Sequence, residues 1–160
     1  PKEGHPAPLE KDTILTGMSK ERIQGIFRNS RKHVPYVRGV NNHMGSKATE
    51  DPEVMRALME VLREERLYFI DSHTTPYTVG PRAAGKTGVP CAQNEKFIDA
   101  EKNLSAIKEA LRSAMIKAQQ EGKAVAIGHS QPLTARAIRE MIPEIERQGI
   151  QLVLASEVVQ

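Results

Sequence analysis

The chain contains no tryptophan, a single cysteine, and only three phenylalanines and three tyrosines. So few aromatics leave little material for a base-stacking platform, and Lys and Arg alternate with Glu along helical surfaces instead of forming a basic stripe. The net charge of +3 therefore reads as a solvated surface, and nucleic acid is not an expected partner. One cysteine, Cys91, excludes an internal disulfide framework and a thiolate metal cluster. No apolar run approaches the length needed to span a bilayer, and the amino terminus lacks a charged-then-apolar leader pattern. A phosphate-cradling loop is missing too: Gly80, Gly85 and Gly88 follow no strand in the register such a loop requires. What remains, 160 residues with 39% hydrophobic and 27% charged content, is the composition of one soluble globular domain.

What the chain does have is alternation of short apolar runs with helical stripes. Pro1 to Gly17 is proline-rich and aperiodic, so it reads as loop. Ser19 is an expected N-cap, with Ile23, Ile26 and Phe27 at helical spacing as far as about His33. A strand is expected over Tyr36 to Val40. Asp51-Pro52-Glu53 has the cap, first-turn proline and early acid of a helix start, followed by the face Val54, Met55, Leu58, Met59 and Leu62. Further strands are expected over Leu67 to Asp71, Val89 to Ala92, Ala124 to Ile127 and Gln151 to Ala155. Between them lie a short helix around Pro81 to Lys86, a long one through Leu104, Ile107 and Leu111, and one striped by Ile138, Met141 and Ile145 that Pro143 should bend or split. This order predicts an α/β domain with a parallel sheet, open or closed into a barrel.

Three of the five histidines close apolar runs: His43 after Val40-Asn41-Asn42, His73 after Asp71-Ser72, and His129 after Ile127-Gly128. In a parallel sheet or barrel, such strand ends open on one face, where loops carry chemistry. Asn41, Asn42, His43, Gly45 and Ser46 offer an imidazole, amide donors and closely approachable backbone, although an ordinary turn uses the same residues. Asp71 directly follows an apolar strand, so burial would demand a partner for its carboxylate. Thr74 and Thr75 offer hydroxyls to a substrate or to a turn. Asp99 is a weaker candidate, with capping of the following helix as the stronger reading, and His5 and His33 read as surface residues.

The run Gly39-Val40-Asn41-Asn42-His43-Met44-Gly45-Ser46, with Asp71-Ser72-His73-Thr74-Thr75 and Ile127-Gly128-His129 behind it, resembles the divergent polysaccharide deacetylase family of bacteria. The resemblance extends from Thr16 to Glu157 and implies an irregular (β/α) barrel of the polysaccharide-deacetylase type. It implies a hydrolase in which a divalent ion, usually zinc, activates water to remove N- or O-acyl groups from cell-envelope glycan. The rival is a catalytically inactive barrel that binds glycan or an envelope protein. On the family pattern His43 is a metal ligand and His129 the general acid; beside them Asp71 is a catalytic candidate, His73 a candidate second metal ligand, and Asn41, Asn42, Ser46 and Thr74 are candidate substrate contacts. Location in the envelope or outside the cell is implied likewise. Two departures stand out. Lys47 occupies the position of the motif's second histidine, for which His73 is the available substitute, and the chain contains no Asp-Asp pair. That pair closes the family's first strand, so residues 1–160 are expected to be a single carboxy-terminal portion of a longer domain. Roughly the first two strand units would be missing, and residues 1–17 would continue from them.

Overall fold

The computed structural model describes residues 12–159, so most of the loop expected over residues 1–17 lies outside the described residues. These residues pack as two compact units, one running to Gln93 and the other from Asn94 to Val158. No described helix is long and apolar enough to cross a membrane.

The first unit runs α1 (Lys20–Arg31), β1 (Gly39–Asn41), α2 (Ser46–Glu50), α3 (Pro52–Glu64), β2 (Tyr68–Asp71), α4 (Gly80–Thr87) and β3 (Cys91–Gln93). Its three strands form a parallel sheet in the order β1-β2-β3, with Val40 beside Phe69 and Asp71 beside Gln93. Helices connect the strands because a parallel pair needs a crossover that also covers an apolar face. The stripe expected on α3 does that work: Met55, Met59 and Leu62 pack with Leu67, Phe69, Ala84 and Val89. Ile23 of α1 closes on the other side of α3 against Val54 and Ala57.

Both capped helix starts read from the sequence form. Ser19 accepts from the Arg22 amide at 3.3 Å, and Asp51 Oδ1 accepts from the amides of Glu53 and Val54 at 2.9 and 3.3 Å. Asp51→Ala removes the acceptor for two donors at the head of the core helix. It is expected to lower stability by about 1 kcal/mol, measured by urea denaturation, whereas Asp51→Ser should recover most of the loss.

The second unit runs β4 (Lys96–Phe97), α5 (Leu104–Glu121), β5 (Ala126–Ile127), α6 (Pro132–Arg147) and α7 (Ala155–Val158). β4 and β5 pair in parallel, Phe97 beside Ile127. The core comprises Ile107, Leu111 and Met115 of α5, Ala137, Met141 and Ile145 of α6, and Ile98.

Three expectations are corrected. The strand begins at Gly39, not Tyr36, because Tyr36 adopts φ +63° and is 95% exposed, a turn conformation that cannot enter a ladder. No strand forms over residues 151–155: Leu152, Val153 and Leu154 are exposed, and Ala155 instead opens α7, where Glu157 accepts from the Leu154 amide. α6 runs unbroken through Pro143. Two short elements, α2 and β4, carry no periodic signal and were not expected. The predicted mixed α/β character with parallel sheets holds.

Candidate functional site

The strand ends of the first unit draw five of the predicted residues into one polar cluster. Asn42 Oδ1 accepts from the Ser72 amide at 2.8 Å, and Ser72 Oγ donates to the Asn42 carbonyl at 2.5 Å. Asn41 Nδ2 donates to Ser72 Oγ at 3.3 Å. The loop after β1 is thereby stitched to the loop after β2. Ser46 Oγ adds a bond to the Thr74 carbonyl at 3.2 Å. Two buried polar atoms in this cluster, Asn42 Nδ2 and Thr74 Oγ1, have no hydrogen-bond partner among the described residues.

Asp71 lies at the base of the cluster with 0% exposure. Its Oδ1 accepts from the His73 amide at 2.8 Å and its Oδ2 from Thr78 Oγ1 at 2.7 Å. The demand for partners anticipated from the sequence is therefore met by the chain itself. Gly80 makes the enclosure possible, because a β-carbon there would sit 2.6 Å from Asp71 Oδ2. Burial pushes the neighbouring Cys91 thiol up to about 11, with the Asp71 charge adding to the effect, so at neutral pH it stays protonated and is no nucleophile.

His43 and His73 are exposed on these loops, and His73 adopts φ +51°. A cavity of about 500 Å³ adjoins the cluster, lined by Asn41, Asn42, His43 and Lys47 together with apolar residues including Phe27 and Val40. Zinc, which the resemblance implies, does not fit the described residues by themselves. Among them no group of three or more His, Cys, Asp or Glu could hold an ion, and both oxygens of Asp71 are engaged by the chain.

The second unit holds the other cluster. Asp99, just past β4, is buried, and its Oδ1 meets His129 Nδ1 at 3.0 Å. Its Oδ2 accepts from the His129 amide at 2.6 Å and from Thr134 Oγ1 at 2.8 Å. The capping role expected for Asp99 falls instead to Asn103, which accepts from the Ala106 amide at 2.8 Å. Burial pushes the Asp99 carboxyl up, but hydrogen bonds from the His129 ring, the His129 amide and Thr134, with the ring's charge, outweigh it and hold the carboxyl below the usual range.

An aspartate fixed by three donors is built to hold a ring, not to swing. With Nδ1 bound to Asp99, proton exchange falls to Nε2, on a side chain 59% exposed. The geometry is that of an oriented acid–base histidine. Gly128 is part of the construction: a β-carbon there would lie 2.9 Å from both Ile98 Cγ1 and Thr134 Cγ2. Gly80, Thr78, Gly128 and Thr134 were not anticipated, since nothing local in the sequence distinguishes them from ordinary turn and helix residues.

The lowered Asp99 carboxyl has a testable consequence for stability. A group held below its unfolded value stabilises the fold above that value and loses the contribution as pH falls through the lowered one. The stability difference between wild type and Asp99→Asn should thus be steady from neutral pH down to about 5 and shrink below about 4, as read by urea denaturation across pH.

The profile of the divergent polysaccharide deacetylase family matches residues 1–159. An uncharacterized Escherichia coli K12 protein, YibQ, is 38% identical over 152 residues, covering 95% of this chain and 47% of its own length. An uncharacterized Haemophilus influenzae protein is 32% identical over 145 residues, covering 91% and 51%. The crystal structure of an uncharacterized protein from Agrobacterium tumefaciens C58 superposes with a TM-score of 0.90 at 20% identity, over 98% of this chain and 62% of that one. The chain thus spans about half the length of the curated relatives it matches.

Proposed function

Because the chain belongs to the divergent polysaccharide deacetylase family, we propose that its domain, a barrel of the deacetylase type, hydrolyses acyl groups from cell-envelope glycan with His129 as proton donor. The observation that carries this reading is the Asp99–His129 pair, joined at 3.0 Å with the carboxylate buried and the ring reachable. Hydrolysis of an acetamide breaks a C–N bond, and the departing amine leaves only once its nitrogen is protonated. A ring whose Nδ1–H is held by Asp99 takes up a second proton at Nε2, the one released by the attacking water, and delivers it from there to the amine. In the first unit, Asn41, Asn42, Ser46 and Thr74 bind the sugar, and the buried Asn42 Nδ2 and Thr74 Oγ1 are the groups with hydrogen-bonding capacity to spare. His43 is the imidazole nominated for a metal ion, with His73 the substitute for the second. Any such ion draws ligands from outside the described residues, since these hold no sufficient cluster.

A second reading is a domain that binds glycan without hydrolysing it. Lys47 in place of the motif's second histidine favours it. The two readings part at one measurement, acetate release from N-acetylated glycan by the full-length protein. Release that depends on His129 supports the hydrolase. Glycan binding with no release, across supplied zinc, cobalt and manganese, sinks it.

A further inference from the structure

We propose that Thr134 is a positioning residue for His129, acting through the Asp99 carboxylate. The proposal rests on the proton-donor role given to His129 above and adds the residue that holds the donor in its working form.

Asp99 presents two equivalent oxygens on a rotatable bond, and a single donor on Oδ2 would not distinguish one setting from its neighbours. Here Oδ2 receives two donors from different elements: the His129 amide, fixed at the end of β5, and the Thr134 hydroxyl, fixed in the first turn of α6. Two donors converging on one oxygen set the carboxylate plane, and that plane sets where Oδ1 meets Nδ1. The ring is then held with a proton on Nδ1 in its neutral and its charged form, so Nε2 is the nitrogen that takes up the proton and passes it to the amine.

Thr134 has no other evident reason to be a threonine. Threonine is a mediocre helix former, and this side chain is only 3% exposed. A buried hydroxyl is costly unless bonded, and its bond goes to Asp99. Its Cγ2 fills the space beside Gly128, where a β-carbon on residue 128 would lie only 2.9 Å away. The site takes a small branched side chain with one donor.

Valine has the shape without the donor, and serine the donor without the methyl. Nitrogen-15 NMR of His129 in the full-length protein, without substrate, reads the ratio of the Nδ1–H to the Nε2–H tautomer. Thr134→Val should lower that ratio by about tenfold, the equivalent of one hydrogen bond to a charged group. Thr134→Ser should stay within about threefold of wild type. In the acetate-release assay, Thr134→Val should lower kcat with KM little changed. Should the valine variant not fold, Thr134→Ala carries the same test. A wild-type tautomer ratio in the donor-less variant, or a serine variant no better than valine, would overturn the proposal. Tautomer shifts as described in a protein that releases no acetate would leave it standing and overturn the hydrolase reading instead.

Discussion

His129→Ala in the full-length protein is expected to slow acetate release by about 10²–10⁴-fold, the range that a positioned general acid contributes. The size follows from the leaving group. An amine expelled without a proton is a very poor leaving group, so the proton must arrive in the transition state. The loss should fall on kcat, because a proton transferred only in the transition state adds nothing to ground-state binding. Folding should be nearly unaffected: the ring is 59% exposed, and after its removal Asp99 keeps the residue 129 amide and the Thr134 hydroxyl. Equal thermal midpoints for variant and wild type would establish that the comparison is one of chemistry. Activity within twofold of wild type would remove His129 from the mechanism. Asp99→Asn should act in the same direction by another route, keeping the ring but weakening the acceptor that selects its tautomer.

Much of this site is legible in the sequence because its parts are local. Gly128-His129 behind an apolar run, and the Asn41-Asn42-His43 cluster behind another, announce strand-end loops without reference to anything distant. Partnerships are harder to read. Asp99 precedes a helix, where an aspartate usually caps, and only the observed cap at Asn103 releases it for a residue 30 positions away. The Asn42–Ser72 stitch is equally remote in sequence. Glycine's role at 80 and 128 depends on what stands across the gap, which no periodicity encodes. The strand errors have a related cause. Leu152-Val153-Leu154 has the composition of a strand, but a strand exists only with a hydrogen-bonded neighbour, and composition does not name one. Helices satisfy their own backbone, so the stripes on α3, α5 and α6 were readable almost in full.

Asp71→Ala is expected to be among the most destabilising single changes at the candidate site, by about 2–5 kcal/mol. The carboxylate is fully buried and holds two donors from the loop that follows β2: the His73 amide through Oδ1 and the Thr78 hydroxyl through Oδ2. Deleting it takes the acceptor from both at once. Both donors are half-buried and Thr78 Oγ1 also reaches the Thr49 carbonyl at 3.5 Å, so each loss falls toward the low end of about 1–3 kcal/mol, and the void beneath Gly80 adds to the penalty. Since whole domains are stable by only about 5–15 kcal/mol, the variant should lose a large share of its margin. Asp71→Asn keeps one carbonyl oxygen and the same volume, so it should recover roughly half of the loss. Activity then separates a structural from a catalytic carboxylate. If Asp71 acts by holding the loop, Asp71→Asn should retain acetate release in proportion to its folded fraction. If the negative charge itself takes part in the reaction, Asp71→Asn will be folded and inactive, and the burial of both oxygens will mark a resting arrangement that opens when substrate binds.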